Sequence, residues 1–203
     1  MKTTRLAKGL FLLTCLLYTA TATAITAKQV LDKTAANVSN KGGVTATFSM
    51  SNANLSQMGG TLKLKGNKFF ANTTHVTVWF NGKTQWTYMK NNDEVNVSNP
   101  NASQLQMLNP YTFINLYKKG YDCTMTQSEG NYVVHLKAQA ATSNIKEAYV
   151  TIDKTFRPKQ VRMLQGKGWT TINITDFQKS KLDDNIFNFN SKDYPKAEII
   201  DLR

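Results

Sequence analysis

The 203-residue sequence predicts a mainly β protein with short helices (α+β), built on an antiparallel sheet in a sandwich or barrel. Three observations carry this. Apolar and polar residues alternate along many short runs, the signature of half-buried strands. Those runs recur at roughly ten-residue spacing, with Gly, Asn or Asp between them. Helical periodicity is confined to two short stretches. No internal repeat or second-domain linker interrupts the pattern, so one domain is expected.

Residues 1–24 read as a cleaved signal peptide. Lys2, Arg5 and Lys8 form a basic start, Leu10 to Leu17 an apolar run, and Ala22-Thr23-Ala24 a small-x-small cleavage site. The run is shorter than the roughly 20 residues of a membrane span. Cys15 sits inside it after Thr14, so export rather than lipidation is expected. Cleavage leaves residues 25–203, with Cys123 as the remaining cysteine and no internal disulfide. Losing three basic residues takes the formal charge from +12 to +9, which favours anionic surfaces such as lipid headgroups or acidic partner patches. Export and the dispersal of the basic residues exclude nucleic acid.

The first helix is expected over 26–39, capped by Thr26, with Val30, Leu31, Thr34, Ala35 and Val38 on one face and Gly42-Gly43 as its stop. A strand follows in which Val44, Ala46, Phe48 and Met50 share a side. The central stretch runs from Gly60 to Val97. There Leu62 and Leu64 alternate with Lys63 and Lys65, and Val76, Val78 and Phe80 repeat the pattern. Asn81-Gly82 predicts a two-residue type I′ hairpin, after which Trp86 and Tyr88 are expected to continue the same apolar, aromatic face. Val95 and Val97 begin another strand after the Asn91-Asn92-Asp93 turn.

Asn109-Pro110 is a helix start, with Asn as cap and Pro in the first position. Phe113, Ile114, Leu116 and Tyr117 make the short helix apolar nearly all round before Lys118-Lys119-Gly120 ends it. Such a helix is either a plug that closes one end of a barrel or a movable lid. Further strands are expected around Tyr132, Val134 and Leu136, around Ala148, Val150 and Ile152, around Val161 and Met163, and around Ile172 and Ile174. Cys123 reads as a small, buried apolar residue of a strand, not a nucleophile.

Nothing points to catalysis. His75 and His135 lie in separate strands without a neighbouring nucleophile, and no metal-ligand cluster or Gly-rich phosphate loop is visible. Asp183-Asp184 stands beside Lys179 and Lys181 in a polar turn. No enzyme activity and no cofactor are expected. What remains is binding: a curled sheet with one bulky apolar face is either filled by side chains or hollow for a ligand.

Four pieces in order, LKLKGNKFF, WFNGKTQWTY, NPYTFINLY and DDNIFNFNSKDYPKAEIIDLR, resemble the outer-membrane lipoprotein carrier family, the LolA-like periplasmic chaperones. The resemblance covers nearly all of the chain after residue 24. It implies an open, incomplete antiparallel β-barrel with a helical lid, whose interior holds the acyl chains of lipoproteins. Partners would be acylated lipoproteins, an inner-membrane lipoprotein-releasing transporter and an outer-membrane acceptor, met in the periplasm by a monomer. The cargo cavity would draw on Val30 and Leu31 from the first helix and Phe113, Ile114 and Tyr117 from the lid. Its walls would be Phe48, Met50, Leu62 and Leu64, then Val78, Phe80, Trp86 and Tyr88, then Val134 and Val150. Two other functions fit a cavity: a general lipid or amphiphile binder, and a lipid-sensing regulator of an envelope stress response, which would usually need an additional domain. One departure stands out. Family members carry an arginine near LKLKGNKFF that holds the lid closed; here the neighbourhood is Lys65-Gly66-Asn67-Lys68, and Lys65 offers a point charge without the bidentate fork.

Overall fold

The computed structural model describes residues 24–53, 55–101, 104–105 and 116–203. Helix α1 (Ala27–Val38) starts with a capping box: Gln29 N donates to the Thr26 hydroxyl, and Thr26 N donates to the Gln29 side chain. Its buried face is Val30, Leu31, Thr34 and Val38, as the helical period requires. Asn37 fixes its other end, donating to the carbonyls of Thr155 and Phe156, both at 3.0 Å.

The strands are β1 (Val44–Asn52), β2 (Leu55–Lys65), β3 (Lys68–Thr73), β4 (Val76–Phe80), β5 (Gln85–Met89) and β6 (Glu94–Ser98). After them come β7 (Tyr121–Ser128), β8 (Asn131–Ala138), β9 (Ile145–Ile152), β10 (Pro158–Gln165), β11 (Gly168–Lys179) and β12 (Glu198–Asp201). All belong to one sheet in the order β12-β6-β5-β4-β3-β2-β1-β11-β10-β9-β8-β7. Pairing of β1 with β11 joins two antiparallel meanders, and β12 adds to β6 in parallel. Among the described residues β7 and β12 pair on one side only, so the sheet stays open, a barrel that does not close.

Cross-strand registry places one apolar row across seven strands: Met125, Val134, Val150, Val161, Ile172, Met50 and Met58 stand opposite one another in turn. Directly opposed residues share a face, so this row defines the inner side of the sheet. Over β7–β9 that side is packed solid. Val30 and Leu31 of α1 and Tyr117 cover Val134, Leu136, Ala148 and Val150. Over β1–β4, α1 reaches only with its last turn, where Val38, flanked by Ala35, meets Val44, Leu64, Phe69 and Phe80.

The central stretch departs from simple alternation at two points. First, GTLKLKGNKFF is two strands: the chain reverses at Gly66-Asn67, with Gly66 at φ +60° and Lys65 opposite Lys68. Second, the Asn81-Gly82 connection is a four-residue loop, because Phe80 pairs with Gln85. Asn81 lacks the positive φ that a type I′ turn demands; its carboxamide oxygen instead accepts from Lys83 N and Thr84 N. An even-numbered loop opposes even residues to odd ones. Trp86 therefore stands against Trp79, and Tyr88 against Thr77, on the outer side, away from Val76, Val78 and Phe80.

That outer side has its own cover, which the sequence reading left unassigned. A row of Phe70, Trp79, Trp86 and Val97 crosses β3–β6. The chain after β11 passes over it in two short 3-10 helices, Asp184–Phe187 and Ser191–Asp193, before β12. Phe189 and Tyr194 meet the Trp79 ring edge-on at 5.4 and 5.6 Å between centroids, and Phe187 is fully buried.

Candidate functional site: an apolar cavity

On the inner side, where α1 leaves the sheet uncovered, lies a cavity of about 570 Å³. This falls within the range of roughly 300–1,000 Å³ for ligand sites. Its walls come from β1, β2, β3, β4, β10 and β11, and they are apolar because each strand turns one alternate face inward. Phe48, Met50, Leu62, Val78, Ile172 and Ile174 are half-buried, folded away from bulk water yet unmatched by protein on their cavity side. At one end Val38, Val44, Leu64, Pro158 and Phe177 close the space. At the other Asn52, Thr170 and Gln165 form a polar edge, with Thr73 at the end of the shorter β3.

Of the residues expected in such a cavity, Phe48, Met50, Leu62, Leu64 and Val78 line it. Val30, Leu31, Tyr117, Val134 and Val150 do not; they form the packed core beneath α1. Phe80 is on the correct face but 2% exposed, tilted against Phe69 at 5.3 Å, so it supports the closed end from below. Trp86 and Tyr88 sit on the outer side, because the loop between β4 and β5 has even length. Phe113 and Ile114, and the Asn109-Pro110 start of the expected lid, lie outside the described residues; the 3-10 turn Leu116–Lys118 is what is described there. Residues missed as cavity walls include Ala46, Met58, Ala71, Val76, Val161 and Met163. Alternation marked most of them as apolar-faced, but strand neighbours across the β1–β11 junction are not visible in local pattern.

Polar tethers hold the rim elements. The Tyr117 hydroxyl donates to the Asp32 carboxylate of α1, and burial, then this bond, push the phenol's pKa upward. Lys65 donates to the Leu182 carbonyl at 2.7 Å and reaches Asp184 at 2.9 Å. Lys68 takes the other Asp184 oxygen at 2.9 Å. Among the described residues, then, the lysine standing where the family arginine is expected grips the C-terminal chain. The bond from Lys68, then that from Lys65, holds the Asp184 carboxyl below its ordinary range. Asp183, paired with it in sequence, caps the short helix by accepting from Asn185 N at 2.8 Å.

Chemically reactive groups are placed elsewhere. His135 contacts Glu147 at 2.7 Å on the outer side and stacks on Tyr149. Cys123 is half-buried at the edge of the packed core, less enclosed than expected, because β7 is the last strand of the sheet. Burial still pushes its thiol up, away from its nucleophilic form. Among the described residues no group of three His, Cys, Asp or Glu could hold a metal, and no helix is long and apolar enough to cross a membrane.

The fold is similar to that of an uncharacterized conserved protein from Thermus thermophilus, at 12% identity over 86% of this chain and 98% of that one, with a TM-score of 0.59. Fainter likenesses join it to a LolA superfamily protein from Nitrosomonas europaea (12% identity, 82% and 99% covered, TM-score 0.45). The lipoprotein LppX from Mycobacterium tuberculosis is similar at 11% identity, with 77% and 98% covered and a TM-score of 0.44. No curated protein matches the chain. The sequence profile described as outer membrane lipoprotein carrier protein LolA matches residues 17–167. The chain is a member of that LolA-like family.

Proposed function

We propose that this protein is a periplasmic chaperone that holds the acyl chains of lipoproteins in the apolar cavity and carries them from the inner to the outer membrane. The observation that carries the reading is the hollow itself: an apolar space of about 570 Å³ left open on a sheet whose other half is fully packed. Each CH₂ moved from water into such a space contributes about 0.8 kcal/mol, so long acyl chains suffice to hold a cargo. Family membership supports the choice of lipoprotein as cargo.

In this reading residues 1–24 direct export and are removed, and residues 25–203 act as a single carrier domain. Cargo arrives from an inner-membrane releasing transporter and leaves to an outer-membrane acceptor. Handover needs alternative states of similar energy, which a segment after Asn109 trading contacts with the acyl chains would provide. No catalytic step is required.

A general amphiphile carrier is the second reading, favoured by the polar edge of Asn52, Gln165 and Thr170, which suits any headgroup. Displacement of a fluorescent hydrophobic probe from the mature protein separates the two. A tri-acylated lipopeptide that displaces it at much lower concentration than its unacylated twin and a fatty acid supports the lipoprotein carrier. Equal displacement by lipopeptide and fatty acid moves the function to a general lipid carrier. A probe that never binds means the cavity is not a binding site.

A further inference from the structure

Where the cavity reaches its closed end, the wall is split. Strands β10 and β11 pair only from Gln165 and Gly168 as far as Gln160 and Asn173. Beyond that point each carries an irregularity. The β10 register against β9 slips between Pro158 and Gln160, leaving Lys159 as the extra residue. The β11 register against β1 slips between Thr45 and Thr47, opposite a segment in which Asp176 takes a left-handed φ of +48°. Paired bulges of this kind bend strands apart and end a ladder.

Between the parted strands is a second, polar pocket of about 260 Å³. Its wall includes Arg157, Lys159, Thr175 and Asp176, with Asp153 beneath. Pro158, Ile174 and Phe177 line both this pocket and the apolar cavity, so the two spaces share a wall. The charges there are not equivalent. One oxygen of Asp153 is already engaged by Thr155 N at 2.8 Å, the Thr155 hydroxyl at 2.7 Å and Arg157 N at 3.0 Å. Asp176 receives the Thr175 hydroxyl at 3.4 Å. The side chains of Arg157 and Lys159 make no hydrogen bond or ion-pair contact among the described residues, and the Arg157 charge acts on the Asp153 carboxylate through space alone. An apolar cavity beside two cations whose hydrogen-bond donors are unused, with Asp153 held by its own turn, offers an acyl chain ending in an anion its charged partners.

We propose that this side pocket takes the anionic headgroup, phosphate or carboxylate, of an amphiphile whose acyl chain lies in the apolar cavity, with Arg157 and Lys159 as its cationic partners. The proposal rests on the acyl-binding reading above and adds a class of cargo to it: single-chain anionic lipids.

The test compares palmitate, a palmitoyl lysophosphatidic acid and neutral monopalmitoylglycerol, each displacing a fluorescent probe from the mature protein at low salt. The same series is run on Arg157→Gln/Lys159→Gln, whose positions are exposed, with Tm measured to verify folding. The wild type is expected to bind an anionic ligand about three- to tenfold tighter than the neutral one, the effect of one or two exposed charge pairs. That preference should vanish in the double variant and in high salt, with monopalmitoylglycerol binding unchanged. Loss of preference for palmitate alone or for lysophosphatidic acid alone assigns the pocket to carboxylate or phosphate. Equal binding of charged and neutral ligands, or a preference that survives in the variant, overturns the proposal while leaving the acyl cavity standing. If monopalmitoylglycerol also fails to displace the probe, the acyl-binding reading falls and the proposal with it.

Discussion

Lys65 and Asp184 lie 2.9 Å apart, joining the end of β2 to the chain that follows β11. With Lys68 on the second carboxylate oxygen and the Leu182 carbonyl on Lys65, they fasten the strap that covers the outer aromatic row.

Because Lys68 and Lys65 depress the Asp184 pKa, the pair contributes stability that is fully present above the ordinary carboxylate value of about 3.9. It is lost as pH falls through the lower folded value. Asp184→Asn should lower Tm modestly at neutral pH, and the variant and wild-type curves should converge below about pH 4. Thermal melts across pH 2–7, a range about the carboxylate value, measure this. A constant gap down to the lowest pH would show that the carboxylate charge is not what matters.

The two halves of the inner face should respond differently to substitution. Leu136, with no exposure, is in the packed half; Leu136→Ala should cost about 2–5 kcal/mol in denaturant unfolding. Its effect on ligand affinity should be slight. Ile172 is half-buried on the cavity; Ile172→Trp should abolish most probe binding while shifting the unfolding midpoint little, because the new ring enters existing space. Both readouts reversed would mean that the hollow lies elsewhere.

Trp86 and Tyr194 belong to the outer side, and variants there test the face assignment. Tyr194 meets both Trp79 and Tyr88, at 5.6 and 4.7 Å, so Tyr194→Ala should red-shift tryptophan emission and destabilise the fold. Probe and lipopeptide affinity should be retained by Tyr194→Ala and by Trp86→Phe. A large affinity loss in Trp86→Phe with unchanged stability would return Trp86 to the cavity.

Gly60 has the least room of the described glycines. A Cβ there would lie 2.2 Å from the Asn72 carbonyl oxygen, a backbone atom that cannot swing aside. Gly60→Ala should therefore cost about 1–3 kcal/mol, whereas Gly168→Ala, which meets nothing within 4 Å, should be tolerated. Urea midpoints of the two variants give the comparison.

Tyr117 links the segment after the expected lid to α1 through Asp32. Tyr117→Phe keeps the ring in the core and removes the hydroxyl, at about 1 kcal/mol. In the wild type, a phenol pKa raised in the fold gives stability that is intact below about pH 10 and declines above it. Tyr117→Phe should lessen the alkaline decline, to which the raised phenols of Tyr121 and Tyr194 also contribute, as melts between neutral and strongly alkaline pH will register.

Local pattern was enough for much of this molecule. The Thr26 cap, the buried stripe from Val30 to Val38 and the inward set Val44, Ala46, Phe48 and Met50 all follow from period and side-chain chemistry, which depend on near neighbours. The antiparallel sheet and its open form followed from strand spacing together with family resemblance. The outward turn of Trp86 away from the Phe80 face is equally local: the two-residue turn expected at Asn81-Gly82 and the four-residue loop observed are both even, and a side-chain period of two makes every even connection oppose even to odd. Other features depended on which strands meet. Where the cavity lies turned on the β1–β11 pairing and on the reach of α1, whose Val30 and Leu31 fill one half of the inner face while Val38 merely borders the other. The strap over Trp79 arises from contacts between segments far apart in the chain, and the polar side pocket at Lys159 and Asp176 from bulges in two neighbouring strands. Periodicity registers a residue's own exposure, so it places Val150 and Ile172 alike on an apolar face. Only packing decides that the first is covered by a helix and the second by a hollow.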